Sequence, residues 1–217
     1  MPAIFGPGAD LALRLVLYGI ALGVPAVLGA GLMMPSTSYE TGRDRAPVQP
    51  VPFSHQHHVG GLGLDCRYCH DSVETAASAG MPPSYTCMTC HSQIWTSAPM
   101  LAPVRASLAE HKPLHWRRVY DLPDYVFFDH SIHVAKGVGC SECHGPVDHM
   151  PLTYKATSLA MSWCLDCHRN PGPRLRPRDQ VFNLNWHRTS ETPAPDALMA
   201  DYGIEVGKLQ NCSICHR

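Results

Sequence analysis

The chain has 217 residues, enough for one or two ordinary domains. Only 16% of its residues are charged and the formal net charge is −1, a balance that offers no basic surface for nucleic acid or for an anionic membrane. Ten cysteines, fourteen histidines and twenty prolines are the unusual counts; that much proline works against long helices and sheets and predicts loops joined by short helices.

The first element is apolar. The run LVLYGIALGVPAVLGAGLMM, residues 15–34, is twenty residues long and carries no charge. That length suits one crossing of a hydrocarbon core, with Pro25 as an expected kink. A secretory signal peptide would have a shorter apolar region followed by a small-residue cleavage site, for which LGAG is a weak match. We read residues 1–35 as an uncleaved transmembrane anchor. Arg14 flanks its inner end, which places the N-terminus in the cytoplasm and the rest of the chain on the outer, periplasmic side of a bacterial cytoplasmic membrane. Residues 36–52, rich in proline and polar residues, read as a semi-extended linker.

Every cysteine then falls into one pattern. CRYCH holds Cys66, Cys69 and His70; CMTCH holds Cys87, Cys90 and His91; CSECH holds Cys140, Cys143 and His144. CLDCH holds Cys164, Cys167 and His168, and CSICH holds Cys212, Cys215 and His216. C-x-x-C-H is the attachment pattern of c-type haem, in which two thiols add to the haem vinyl groups and the adjacent histidine binds iron from the proximal side. Zinc sites would pair C-x-x-C units, and five units do not pair evenly. A thioredoxin-type motif would occur once, beside a strand and helix pattern that is missing here. A disulfide framework of five close pairs would cross-link almost nothing. The expectation is five covalently attached haem c groups, with the polypeptide wrapped around them as loops and short α-helices with little sheet. Without haem, little beyond the N-terminal segment should stay folded.

A repeat organises the haem region. Phe53, His55, His58 and Val59 align with Phe128, His130, His133 and Val134 as F-x-H-x-x-H-V, each upstream of a haem motif. GMPPSY and HMPLTY occupy matching places between the paired motifs. The expected organisation is a two-haem half over residues 53–115, a second over 116–171, and a C-terminal segment, 172–217, with the fifth motif. WRRVYDLPDYVF, residues 116–127, reads as a packed linker with a short strand at residues 125–128.

Five of the fourteen histidines are proximal, leaving nine for distal positions. The fifth distal ligand is sought among His187, His149, Met150, His111 and His115, with His187 favoured because it lies between the last two motifs after an apolar run. A methionine ligand would raise that haem's potential. His57 reads as an exposed extra. RNPGPRLRPRD, residues 169–179, is either a neutralising cluster for haem propionates or a solvated loop.

F-x-H-x-x-H ahead of C-x-x-C-H resembles the class III multihaem cytochromes c. That resemblance implies that the first histidine binds the haem of the following motif from its distal side and the second binds a neighbouring haem. His55 would then serve the Cys66 haem and His130 the Cys140 haem. His58 and His133 would serve two others, most simply those of His91 and His168, within one half or across halves. The wider layout of anchor, two pairs of motifs and a fifth, together with FSHQHHVGGLGLDCRYCH, MPPSYTCMTCH, WRRVYDLPDYVFFDHSIHV and MSWCLDCHRNP, resembles the membrane-anchored pentahaem subunit of bacterial alternative complex III. It implies an electron-transfer subunit of a quinol-oxidising respiratory or photosynthetic complex. Its implied partners are integral membrane quinol-binding subunits, a large iron–sulfur subunit and a monohaem cytochrome c. No catalytic residue is expected, because irons ligated on both faces bind no substrate. Two other classes share part of this pattern. A tetrahaem-anchor-type quinol dehydrogenase needs one haem with an open or weak ligand, and a multihaem nitrite or hydroxylamine reductase needs a pocket at a five-coordinate haem.

Overall fold

A computed structural model of the chain describes residues 6 and 8–216. They form two compact units, Met1–Gly42 and Arg43–Arg217.

The first unit is built on α1 (Ala9–Met33), a 25-residue helix that runs through Pro25. At 1.5 Å per residue it is about 37 Å long, more than the roughly 30 Å of a bilayer's hydrocarbon core. Its most apolar stretch has a mean hydropathy of 2.1, and none of that stretch is buried. Asp10 lies in the first turn, where a carboxylate favours the helix N-terminus, and pairs with Arg14 at 2.9 Å. A 3₁₀ turn, Met34–Ser36, and α2 (Ser38–Thr41) follow, and Gly42 ends α2 in the left-handed region at φ 66°. This is one helix long and apolar enough to cross a membrane.

The second unit is loops pinned by short helices: α3 (Ser84–His91), α4 (Ala102–Glu110), α5 (His130–Ala135), α6 (Cys140–His144), α7 (Met161–Arg169), α8 (Pro195–Asp201) and α9 (Cys212–Cys215). Among the described residues there is no sheet, only isolated bridges between Arg43 and Lys155 and between Val138 and Leu175. The strand expected at residues 125–128 is not formed. Val126 closes a turn onto the Pro123 carbonyl at 2.8 Å, and Phe127 gives its N–H to the Cys215 carbonyl at 2.8 Å. The segment therefore serves as a strap across the fifth motif.

The side-chain core is slight and split. Val51, Leu101 and Val104 form one buried cluster, against which Cys87, Met88 and Trp116 pack. Leu175, Leu198 and Tyr202 form another. Proline at the start of α4 and of α8 fits the first helical turn, whose N–H groups have no intrahelical acceptor.

The arginine-rich stretch after α7 is not a solvated loop. Arg176 is only 2% exposed and donates to Glu142 at 2.8 Å, to Ser141 at 3.2 Å and to the Asn183 carbonyl at 3.1 Å. Arg174 pairs with Asp166 at 2.9 Å, and the Arg178 guanidinium lies 4.4 Å from the Tyr202 ring centroid. Gly139 makes room for Arg176, because a Cβ there would collide with the guanidinium.

Candidate haem-binding centre

Each C-x-x-C-H motif sits on a helical turn. Cys66–Tyr68 is a 3₁₀ turn, and the other four motifs lie in α3, α6, α7 and α9. Helical spacing puts residues three and four apart on one face, so the two thiols and the following imidazole of a motif point the same way. The thiols are buried to differing degrees, and burial raises the pKa of Cys69, Cys87, Cys164 and Cys167 and pushes Cys143 up to about 12. The Cys66 and Cys140 thiols lie against each other, and their interaction lowers the pKa of Cys66 and raises that of Cys140. The first and third attachment turns are therefore direct neighbours.

The two F-x-H-x-x-H-V copies fold alike. In the first, the Phe53 ring lies 4.9 Å from His55, edge-on at 87°, and 4.5 Å from His58 at 21°. In the second, Phe128 lies 4.8 Å from His130 at 88° and 4.5 Å from His133 at 28°. The phenylalanine thus fixes the two imidazoles of its copy at nearly a right angle. Ser54 and Asp129 hold equivalent places and cap the following turn: Ser54 Oγ accepts from the His57 N–H at 3.2 Å, and Asp129 Oδ1 accepts from the Ser131 N–H at 2.8 Å. The first turn is π-helical over Gln56–Gly61 and the second is α5.

These turns aim four imidazoles at the histidines of four C-x-x-C-H turns. His55 faces His70 with ring centroids 6.5 Å apart and planes 11° from parallel, and His130 faces His144 at 6.3 Å and 14°. His58 faces His91 at 6.2 Å, and His133 faces His168 at 6.3 Å. The second histidine of each copy therefore meets the later motif of its own half.

The nitrogen chemistry agrees with ligation. The Nδ1–H of His58 donates to the Ser54 carbonyl at 2.8 Å and that of His133 to the Asp129 carbonyl at 2.7 Å. His70 donates to Gly80 at 2.8 Å, His91 to Ile94 at 3.3 Å, His130 to Ala77 at 2.8 Å, His168 to Leu209 at 2.9 Å and His216 to Tyr125 at 3.1 Å. A carbonyl only accepts, so these bonds fix the proton on Nδ1 and leave Nε2 unprotonated, the nitrogen able to bind a metal. Burial, with His70 and His58 beside it, lowers the pKa of His55 to about 4; burial, with His130 beside it, lowers that of His144 to about 4. Both rings are neutral at ordinary pH, the form that binds metal.

The residues fit haem. Two trans imidazoles on one metal, with metal–nitrogen bonds of about 2 Å, set ring centroids about 6 Å apart, and four pairs of rings stand at that span. Beside the motif histidine of each pair, two cysteines of the same turn would be the thiols that hold a porphyrin edge.

The fifth motif is built differently. His216 stands beside Tyr125, ring centroids 5.9 Å apart and 26° from parallel, and among the described residues it faces no other imidazole. His187 is exposed, as are His111, His115 and His149, whereas Met150 is buried, its Cε close to Gly145 beside the third motif. His57 is exposed and its ring lies 6.0 Å from Trp95.

Three supporting residues escaped the sequence reading. Tyr120 packs edge-on against His144 at 4.5 Å and donates to the Cys143 carbonyl at 3.1 Å. Ala77 and Thr153 anchor imidazoles of the opposite half: Ala77 O accepts from both the N–H and the Nδ1–H of His130, and Thr153 Oγ1 is 2.7 Å from His55 Nδ1. Nothing in the local spacing marks either one, because both contacts join segments remote in sequence.

Residues 126–217 match the family model of cytochrome c7 and related cytochrome c. Over 97 residues the chain is 37% identical to the multihaem cytochrome c subunit of menaquinone reductase from Nitratidesulfovibrio vulgaris, strain Hildenborough. That match covers 44% of this chain and 45% of the relative, less than half the length of either. Residues 126–217 are thus similar to cytochromes c, which bind haem covalently.

Proposed function

We propose that the chain is an electron-transfer subunit of a quinone-linked membrane complex, holding five haem c groups on the outer side of a bacterial cytoplasmic membrane. The observation that carries this reading is the set of four imidazole pairs at 6.2–6.5 Å, each with its proximal member in a C-x-x-C-H turn. Bound haem supplies reversible one-electron exchange at iron.

The chain's own residues do the rest. The ten cysteines anchor the macrocycles. His70, His91, His144, His168 and His216 hold the proximal faces, and His55, His58, His130 and His133 close four distal faces. With both imidazoles of a pair bound to one metal, no position would remain for substrate at those four sites, and the ligand set would stay constant between redox states. This favours electron transfer over the reductase and dehydrogenase alternatives, which need an open iron. The fifth distal ligand comes from outside the four pairs, and His187, His149, His111, His115 and Met150 are this chain's candidates.

The layout of anchor and motifs supports the finer reading as the pentahaem subunit of an alternative complex III, with integral membrane quinol-binding subunits, a large iron–sulfur subunit and a monohaem cytochrome c as partners. The similarity to a menaquinone reductase subunit favours a second reading of direction, in which electrons pass toward quinone.

Purification from membranes in mild detergent tests the proposal. The chain should migrate within a large complex that contains quinone-reactive integral membrane subunits, whereas a lone species of its own mass would overturn it. Adding a quinol analogue to the oxidised complex separates the directions: haem reduction supports quinol oxidation. Reoxidation of reduced haem by added quinone, without reduction by quinol, supports the other.

A further inference from the structure

The two clasps hold their phenylalanine and paired imidazoles alike, yet the two distal imidazoles lean on different chemical groups. His130 Nδ1 donates to a backbone carbonyl, Ala77 O, at 2.8 Å. His55 Nδ1 meets a side-chain hydroxyl, Thr153 Oγ1, at 2.7 Å. Of the eight imidazoles whose Nδ1 has a partner here, His55 alone faces a hydroxyl.

The Thr153 hydroxyl is held in place. Its segment crosses the first clasp at two further points: the Met150 carbonyl accepts from the Gln56 N–H at 3.0 Å, and the Asp148 carbonyl lies against Gly60 so closely that a Cβ there would collide with it. Thr153 is therefore delivered to His55 by a fixed strap.

A carbonyl and a hydroxyl are not equivalent acceptors. The carbonyl oxygen only accepts and draws the Nδ1 proton strongly, which makes the imidazole a more basic ligand. The hydroxyl is a weaker acceptor and its own proton rotates, so it either accepts from Nδ1–H or donates to Nδ1. Only the first arrangement leaves His55 Nε2 free for a metal.

We propose that Thr153 is a positioning residue that sets the ligand strength of His55 and so separates the potential of the Cys66–Cys69–His70 haem from that of its structural twin at Cys140–Cys143–His144. The inference rests on the reading of His55 as an axial ligand. The strap comes from the second half and the imidazole from the first, so one half tunes the haem held by the other. Hydrogen bonds to axial ligands are among the groups that set haem potentials.

The test is potentiometric titration of the purified holoprotein with electron paramagnetic resonance of the individual low-spin signals. Thr153→Val is nearly isosteric and removes the acceptor, so His55 becomes a weaker donor to ferric iron. One potential of the set should rise and one low-spin signal should move, with the others unchanged. Thr153→Ser should reproduce the wild type. Thr153→Asn offers a stronger amide-carbonyl acceptor and should lower the same potential; it keeps the test alive if the valine variant does not assemble. Opposite signs at a single haem are not produced by structural damage. Unmoved potentials in both variants, or movement of both in one direction, overturn the role of Thr153. Absence of haem from the first motif of the wild type would instead sink the haem reading itself.

Discussion

His130 and His144 face each other across 6.3 Å with their planes 14° from parallel, and each is fixed from behind, His130 by the Ala77 carbonyl and His144 by the Tyr120 ring. That span suits two imidazoles on one metal, which is the role proposed for this pair. His130→Met should convert that haem from two imidazoles to imidazole and thioether and raise its potential, since a methionine ligand favours the ferrous state. Redox titration should show one potential moved upward; five unmoved potentials would dissociate His130 from haem.

His133 meets His168, and His58 meets His91, within their own halves. His133→Ala should therefore open the haem of the Cys164–Cys167–His168 motif and leave that of Cys87–Cys90–His91 intact. A new high-spin ferric signal at one haem per chain is expected. Loss of a low-spin signal shared with His58→Ala would mean that the clasps cross between halves.

Gly60 and Gly61 are adjacent, yet only one has room for a side chain. A Cβ on Gly60 would strike the backbone carbonyl of Asp148, whereas a Cβ on Gly61 would sit 3.7 Å from the Gln56 carbonyl. Gly60→Ala should destabilise the holoprotein by about 1–3 kcal/mol through overpacking of the strap. Gly61→Ala should be neutral or slightly stabilising, because it lowers unfolded-chain entropy. Denaturant midpoints of the two variants compare them directly, and equal losses would mean that the strap is not rigid there.

Arg176 packs under the third motif with its guanidinium over the Trp186 ring at 4.9 Å and paired with Glu142. Its Nε is buried without a partner, so the site holds the cation by packing as well as by hydrogen bonds. Arg176→Met keeps the apolar stem and removes the charge. It should cost about 1–3 kcal/mol, since Glu142 and the Asn183 carbonyl lose their donor. Chemical unfolding followed by haem absorbance measures the loss, and an unchanged midpoint would show that the pair contributes nothing net.

The buried side-chain core of the haem region consists of small separate clusters, so the macrocycles are expected to supply the missing apolar interior. Expression in cells that lack haem attachment machinery should give a chain whose far-UV circular dichroism retains little helix beyond the N-terminal segment. Native-like helix content in that preparation would show that the polypeptide folds without haem.

Much of this protein was legible in its sequence because the signals are local. Five C-x-x-C-H turns stand out within five residues each, since thiols and imidazole at those offsets share one helical turn. The apolar run of residues 15–34 forms a helix by composition alone. The repeat F-x-H-x-x-H-V gave the paired imidazoles, because a single turn holds both rings around one phenylalanine. What the tertiary structure decided is where those rings meet their partners. His58 finds His91 and His133 finds His168 through loop closure, which local spacing does not encode. Residues 125–128 have the β-branched and aromatic look of a strand, but among the described residues no neighbouring strand pairs with them; the Val126 N–H closes a turn onto Pro123 and the Phe127 N–H goes to Cys215 of the fifth motif. Thr153 and Ala77 are ordinary residues in sequence. Their importance arises only when each half folds its loop across the other's clasp, bringing a hydroxyl to His55 where the twin site has a carbonyl.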